Sequence, residues 1–171
     1  MKNPASMSKP TLHLICGRIA AGKSTLATTL GHRGATVVIR EDDWLSGLYG
    51  EQMSSIQDYM RCTALLRSVV GPHVAALLNA GLSVVLDFQA NTLDARSWMR
   101  GILNQTNAAH VLHLLDVPEE VCLARLKARN AAGKHPFAVT EAQFQQISRH
   151  FVPPRPEERF DVQVHRVDAA P

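Results

Sequence analysis

The string Gly17-Arg18-Ile19-Ala20-Ala21-Gly22-Lys23-Ser24 constrains this chain more than any other feature. It follows an apolar run of β type at residues 12–16 and opens a helical stretch at residues 23–32. Two glycines let such a loop curl so that its backbone N–H groups point inward, and the helix N-terminus adds partial positive charge. The string therefore predicts a loop that cradles phosphate groups. A chance glycine-rich turn is the alternative.

Within this loop, each residue type has a definite part in binding a nucleoside triphosphate. The Lys23 ammonium suits the β- and γ-phosphates, and the Ser24 hydroxyl is suited to ligate Mg²⁺. The sequence thus predicts ATP and Mg²⁺ as cofactors. We expect the nucleotide contacts to come from Gly17, Arg18, Ile19, Ala20, Ala21, Gly22, Lys23, Ser24 and Thr25.

Strand-like and helical runs alternate along the chain, which predicts an α/β fold with a five-stranded parallel sheet covered on both faces. The predicted strands are residues 12–16, 36–39, 83–86, 111–115 and 162–165. The last one alternates polar and apolar residues, which is typical of an edge strand. At 171 residues, the chain suits one domain. We expect a flexible segment at residues 1–10 and a single domain at 11–171.

Helices are expected between the strands, and one connection is typical of a mobile lid. The predicted helices after the first are residues 56–80, 93–105 and 118–129, and one that Thr140 and Gln143 open as a capping box. Thr92 is a plausible N-cap. The sequence predicts an interruption at Gly71-Pro72, because proline rarely continues a helix. Residues 131–138, which contain glycine and proline, are predicted to form a lid loop.

Composition narrows the possible partners. The hydrophobic fraction is 46%, and a net charge of +3 is spread without a basic cluster, so a nucleic acid is an unlikely partner. No apolar run reaches the roughly 20 residues needed to cross a membrane. Cys16, Cys62 and Cys122 are odd in number and widely spaced, which fits the reducing cytoplasm. A monomer or a homodimer fits these features.

Acidic residues follow the second predicted strand as Glu41-Asp42-Asp43-Trp44. Because ligands of open α/β sheets bind beyond the carboxyl ends of the strands, these acids are expected to face the phosphate loop. A carboxylate there can accept the proton of an attacking hydroxyl. Asp42 is the preferred base and Asp43 the alternative. A solvated acidic turn that caps the next helix is a second explanation.

Asp87 ends the third predicted strand, where an aspartate can hold Mg²⁺ directly or through water. It could also contact substrate or cap a turn. Gln89 and Asn91 follow, and Asn91 is a candidate substrate residue.

Arg125 and Arg129 lie four residues apart on a predicted helix, so both guanidinium groups share one face. There they can meet phosphate charge in the transition state. A solvated basic face is the alternative.

Together with Asp116-Val117-Pro118, these elements resemble a family of small P-loop kinases that includes the polynucleotide 5′-kinase domain and chloramphenicol phosphotransferase. The resemblance implies a three-layer P-loop NTPase fold with a helical lid and the phosphate-loop strand at the centre. It also implies that Asp42 is the general base and that Arg125 and Arg129 engage ATP. One departure is Leu45, where the polynucleotide kinase has an arginine for its acceptor phosphate.

The sequence therefore predicts an ATP-dependent transfer of the γ-phosphate to a hydroxyl of a small molecule, such as an antibiotic or a sugar-like acceptor. Catalytic roles are expected for Lys23, Asp42 and Arg125. Substrate contacts are expected from Asp42, Trp44, Asp87 and Asn91, and metal contacts from Ser24 and Asp87. The acceptor pocket is predicted within residues 44–72, with Tyr49, Asp58, Tyr59 and Arg61 as candidates. A polynucleotide or nucleoside kinase and a non-catalytic ATP-binding regulatory module are the alternatives.

Overall fold

The fold is a five-stranded parallel sheet with helices on both faces, as the sequence predicts. A computed structural model describes residues 9–133 and 139–167. The sheet order is β2-β3-β1-β4-β5, so the phosphate-loop strand is central and β5 lies at an edge, both as expected. The strands are β1 Thr11–Gly17, β2 Thr36–Arg40, β3 Ser83–Gln89, β4 Ala109–Asp116 and β5 Val162–Arg166.

Six α-helices and two short 3₁₀ turns connect the strands in the described residues. The helices are α1 Lys23–Gly31, α2 Glu41–Tyr49, α3 Ile56–Asn79, α4 Leu93–Leu103, α5 Glu119–Ala131 and α6 Glu141–Ser148, and the 3₁₀ turns are Gly50–Gln52 and Pro156–Glu158. The Thr92 side chain caps α4, and Thr140 and Gln143 form the expected capping box of α6. These caps satisfy backbone N–H groups that would otherwise have no partner in the first turn.

The predicted interruption at Gly71-Pro72 is wrong, because α3 runs unbroken for 24 residues with Pro72 inside it. Pro72 lies on the exposed face, where water can serve the carbonyl that loses its helical partner. Val70 and Val74 lie on the other face and are fully buried. Packing of this face against the sheet outweighs the local preference of proline.

Two apolar clusters, one on each face of the sheet, complete the three layers. Because successive strand side chains point to opposite faces, Leu12 and Leu14 of β1 pack with α3 and α4, whereas Ile15 packs with α1 and α5. The three cysteines are free and buried. In the described part of the chain, no helix is both long and apolar enough to span a membrane.

Two predicted segments fall partly or wholly outside the described residues. Of the expected flexible segment 1–10, residues 1–8 lie outside them, and so do residues 134–138 of the predicted lid loop. The flexible N-terminal segment and the lid loop therefore stay predictions from the sequence. The division of the chain into one domain with an N-terminal segment also stays a prediction.

Three histidines form a hydrogen-bonded chain across the sheet, on the face that packs against α1 and α5. His13 Nδ1 lies 3.0 Å from His113 Nε2, and His113 Nδ1 lies 2.9 Å from His165 Nε2. Burial, together with the smaller effects of His13, His165 and Arg33, lowers the pKa of His113 to about 4. Burial and Arg33 also lower the pKa of His13. Both buried rings are therefore neutral at pH 7.

These depressed pKa values predict that acid destabilises the fold. The unfolded chain protonates His113 near its ordinary pKa of 6.5, and the folded chain only near 4. The unfolding free energy should therefore fall between these two pH values by roughly 3 kcal/mol at most. Urea unfolding at pH 7, 6, 5 and 4 measures this loss. His113→Phe should flatten the dependence, and the exposed His150→Gln should not; an equal slope in wild type and His113→Phe would contradict the prediction.

Candidate functional site

The phosphate loop owes its shape to two glycines. Gly17 ends β1, where a Cβ atom would lie only 3.0 Å from Leu115 Cβ and 3.3 Å from the Leu115 carbonyl oxygen. Gly22 is the N-cap of α1 and has a φ of 106°, a left-handed conformation that favours glycine. The loop is closed by the Ala21 N–H, which donates to the Arg18 carbonyl at 3.2 Å. These constraints explain the fixed glycines of the sequence pattern.

Asn91 holds the start of this loop in place. Its Oδ1 accepts a hydrogen bond from the Gly17 N–H at 2.9 Å, and its Nδ2 donates to the Gly17 carbonyl at 2.9 Å. Both atoms of the Asn91 amide bond to the backbone of Gly17, so this side chain positions the loop. The substrate contact expected from the sequence stays a prediction. Gln89, two residues earlier, lines the cleft described below.

Lys23 lies against the loop that it is expected to serve. Its Nζ donates to the carbonyl oxygens of Gly17 at 2.7 Å and Arg18 at 2.8 Å. Burial lowers the pKa of Lys23 to about 8, although the negative charges of Asp87 and Asp42 oppose this shift. The ammonium is thus charged at pH 7, close to the N-terminus of α1.

The acidic string after β2 forms the first turn of α2 and not a separate loop. Asp42 is exposed and lines the main cleft, whereas Asp43 is exposed but is absent from the cleft lining among the described residues. Glu41 is 4% exposed and lies beneath them. Burial raises the pKa of Glu41 to about 7, with Arg67 opposing. This arrangement favours Asp42 over Asp43 as the acid that meets a ligand.

Asp87, near the end of β3, lies among the groups expected to contact phosphate and metal. Burial raises the pKa of Asp87, and hydrogen bonding to Ser24 and the charges of Arg40 and Lys23 oppose that rise. Arg40 Nε is 3.9 Å from Asp87 Oδ2. The Ser24 hydroxyl and the Asp87 carboxylate are therefore neighbours, as a shared metal would require.

The two arginines of α5 both reach the cleft. Arg125 Nη1 donates to the Ala21 carbonyl of the phosphate loop at 3.2 Å. Arg129 is partly buried, and its Nε has no hydrogen-bond partner among the described residues. The predicted spacing on one helix face thus brings both guanidinium groups to the same wall.

The cleft has a volume of about 1070 Å³ and joins the phosphate loop to α2, α3, α5 and α6. Its walls divide by chemistry. The charged lining residues are Lys23, Asp42, Arg125 and Arg129. Hydroxyl and amide groups come from Ser24, Thr25, Thr29, Ser46, Tyr59 and Gln89, and apolar groups from Ile19, Ala20, Ala21, Leu26, Leu45, Met53, Val139 and Ile147. Gly22 and Gly50 complete the lining.

Several residues expected in the site have side chains elsewhere. Trp44 packs against His73 of α3, with ring centroids 6.4 Å apart, and is not part of the described cleft lining. The Arg18 guanidinium lies 4.9 Å from the Phe151 ring centroid and 3.8 Å from Glu119, so only its backbone belongs to the phosphate loop. Asp58 serves the capping box of α3. Among the described residues, neither Trp44 nor Asp58 lines the cleft, and a substrate contact of either stays a prediction from the sequence.

Other lining residues gave no signal in the sequence. Leu45, Ser46 and Met53 line the cleft, yet they are ordinary apolar or small residues on α2 and the connection to α3. Arg67 reaches Glu41 from α3 across 26 positions of sequence. Only the packing of α3 against the start of α2 reveals these contacts.

The fold and the site together define a class of protein with a phosphate-binding loop. The model of the AAA domain family matches residues 12–154, and the chain belongs to this family. No curated protein matches the chain.

Solved structures share the fold at low sequence identity. A candidate kinase from Chloroflexus aurantiacus J-10-fl is 20% identical with a TM-score of 0.72, over 94% of this chain and 87% of that one. The APS kinase CysC of Mycobacterium tuberculosis, in complex with AMPPNP and APS, is 19% identical with a TM-score of 0.63, over 95% and 91%. A chain of the Pnkp1/Rnl/Hen1 RNA repair complex is 21% identical with a TM-score of 0.64, over 85% and 45%. The resemblance to small P-loop kinases is thus confirmed at the level of the fold.

Proposed function

We propose that this protein is an ATP-dependent phosphotransferase that moves the γ-phosphate of ATP to a hydroxyl of a small molecule. One observation carries the proposal: Lys23, Asp42, Arg125 and Arg129 line a single cleft together with the phosphate loop. Cationic groups that can bind phosphate oxygens and a carboxylate that can accept a hydroxyl proton thus line the same cleft. Kinases among the structures that share the fold support the same reaction class.

In this mechanism, the loop amides and Lys23 hold the triphosphate, and the arginines stabilise charge on the transferred group. Asp42 takes the proton of the acceptor hydroxyl while the hydroxyl oxygen forms a bond to the γ-phosphorus. The bond between that phosphorus and the bridging oxygen breaks, and ADP leaves. Closure of the cleft around the reactants would exclude water, which is the competing acceptor.

The residues present also suit Mg²⁺. Magnesium is commonly held by one or two protein oxygens together with phosphates and water. The Ser24 hydroxyl and the Asp87 carboxylate, which interact, are oxygen donors of this kind. No cluster of three or more histidine, cysteine or acidic side chains that could hold a metal occurs in residues 9–133 and 139–167. When bound, Mg²⁺ would neutralise charge on the β- and γ-phosphates.

The acceptor end of the cleft is mainly apolar. Leu45, Met53 and Tyr59 line it beside Ser46, and neither α2 nor the Gly50–Gln52 turn contains a lysine or an arginine. The Asp42 carboxylate adds negative charge. We therefore expect an uncharged or cationic alcohol with an apolar surface, and not a phosphorylated one.

An acceptor screen with γ-³²P-ATP tests the function. The panel contains chloramphenicol, aminoglycosides, sugars, nucleosides and DNA with 5′-hydroxyl ends, with Lys23→Met as the inactive control. Label transfer to an alcohol of the first three classes would support the proposal. Transfer only to nucleosides or DNA ends would replace it with a nucleoside or polynucleotide kinase. Release of label to water alone across the whole panel would favour a regulatory module.

The depressed pKa of Lys23 predicts that ATP binding weakens in base. In the free protein, Lys23 loses its proton near pH 8. Above that pH, ATP binding must therefore be coupled to the uptake of a proton by Lys23. The Kd for ATP should rise by up to about tenfold per pH unit above 8. Calorimetric titrations from pH 7 to 9.5 measure this slope. Lys23→Met should bind weakly and without the slope, and the exposed Lys127→Met should behave as wild type; a slope retained in Lys23→Met would refute the assignment.

A further inference from the structure

An ion pair between Glu41 and Arg67 lies beneath the proposed base. Glu41 is the first residue of α2 and directly precedes Asp42. Its side chain is 5% exposed, and its Oε1 lies 3.8 Å from Arg67 Nη2 of α3. Glu41 Oε1 and Arg67 Nε are both buried without a hydrogen-bond partner among the described residues. The two side chains therefore lie within ion-pair distance of each other but make no direct hydrogen bond.

Arg67 connects three helices. Its Nη1 lies 3.8 Å from Asp94 Oδ2 of α4, and its guanidinium carbon is 5.2 Å from the Trp98 ring centroid. One turn further along α3, a Cβ atom on Gly71 would lie 3.3 Å from Trp98 Nε1, so the two helices approach closely there. Asp94 is 95% exposed, so the contact with Trp98 is the firmer of the two, and through it Arg67 joins α4 to the start of α2.

Stability alone gives a poor reason for this pair. Burial of a carboxylate is costly, and the pKa of Glu41 rises to about 7 because of burial and the charges of Asp42 and Asp87. A buried ion pair without full hydrogen bonding often stabilises less than apolar side chains of similar size. The pair is therefore better explained by where it holds the backbone.

The start of α2 needs such a tether. Arg40 occupies its N-cap position in an extended conformation, and no side chain of the described residues caps the helix. Helices α1 and α5 also lack a side-chain cap, whereas α3, α4 and α6 begin with side-chain caps from Ser55, Thr92 and Thr140. An uncapped first turn frays readily, because its N–H groups lack partners. Asp42 lies in this turn.

We propose that Glu41 and Arg67 are positioning residues that hold the first turn of α2 against α3 and α4, and so keep the Asp42 carboxylate at the cleft wall. This inference rests on the proposed function, in which Asp42 is the base. Neither residue belongs to the cleft lining among the described residues, so both act through Asp42. Tyr59 on the same helix as Arg67 does line the cleft, so α3 links its acceptor end to the base.

The test uses the turnover of MgATP, with water as the acceptor, at 25 °C. The variants are Asp42→Asn, Glu41→Gln, Arg67→Met, Arg67→Lys, the double variant Glu41→Gln/Arg67→Met, and Arg61→Met as control. Arg61 is an exposed arginine of the same helix that pairs with Asp58. Misplacement of a reacting group by about 1 Å can cost 10²-fold in rate. We expect Glu41→Gln and Arg67→Met each to lower kcat about 10- to 100-fold, with the KM for ATP within about twofold.

Because the two residues act as a unit, the double variant should lose no more than either single variant, and Arg67→Lys should recover part of the rate. Arg61→Met should match wild type. If Asp42→Asn lowers kcat but Glu41→Gln and Arg67→Met do not, the positioning inference is wrong and the proposed base stands. If Asp42→Asn itself leaves kcat unchanged, the base assigned in the proposed function is wrong, and the positioning inference falls with that assignment. Losses that follow the unfolded fraction, measured by circular dichroism, would also overturn the inference.

Discussion

Asp42→Asn is expected to lower the rate of phosphate transfer by about 10²–10⁴-fold while the Kd for ATP stays near the wild-type value. Asparagine keeps the size of the side chain but cannot accept a proton from the acceptor hydroxyl. Asp42 lines the cleft, but a carboxylate does not attract phosphate oxygens, so its charge is not required to hold ATP. The comparison of kcat with a calorimetric Kd separates the two effects.

Asp43→Asn is the matched control for this prediction. Asp43 is the next residue of the same helix turn, is exposed, and is absent from the cleft lining among the described residues. Its substitution should leave transfer within about twofold of wild type, since a solvated acid outside the cleft has no part in proton transfer. Equal losses in both variants would indicate a general effect of charge, and activity in Asp42→Asn would rule out the base.

Arg96→Met is expected to lower the unfolding free energy by about 3–5 kcal/mol, because it removes one partner of a buried ion pair. Arg96 is 0% exposed, and its Nε and Nη2 donate to the two carboxylate oxygens of Glu158 at 2.6 and 3.0 Å. Burial alone would raise the pKa of Glu158, yet the hydrogen bonds from Arg96 and the Arg155 N–H lower it. Urea unfolding at pH 7 measures the loss.

The same arginine supports the phosphate loop through the backbone. Its Nη1 donates to the carbonyl oxygens of Ala90 at 2.9 Å and Val152 at 2.8 Å. These residues flank Asn91, whose carbonyl accepts from the Val152 N–H. Arg96→Met should therefore also weaken ATP binding, by loosening the residue that holds Gly17.

Lys127→Met is the control for the energetic claim. Lys127 pairs with Glu141 at 2.9 Å, a close ion pair that is more than half exposed on both sides. Exposed pairs contribute only about 0–1 kcal/mol, because water screens the charges and the side chains lose entropy. A loss for Arg96→Met no larger than that for Lys127→Met would contradict the prediction.

Local patterns in the sequence were sufficient for the features that depend on neighbouring residues. The phosphate loop follows from its glycine pattern, because the left-handed φ angle of Gly22 is a local requirement. The alternation of strand-like and helical runs predicted the sheet. Residue types at N-cap positions predicted the starts of α4 and α6. The prediction failed at Pro72, where the burial of Val70 and Val74 on the sheet overrides the local cost of proline.

The amino-acid sequence by itself determined the fold class, the phosphate loop and the acids and arginines that can serve it, because each of these is set by spacing along one strand, loop or helix. Only the tertiary structure decided which side chains meet in the cleft. It brought Asp42 to the wall and left Asp43 outside, turned Trp44 towards His73, and joined Arg67 to Glu41 and Arg96 to Glu158. The reason is physical: these contacts join residues distant in sequence, and helix packing on the sheet fixes them where no local pattern can.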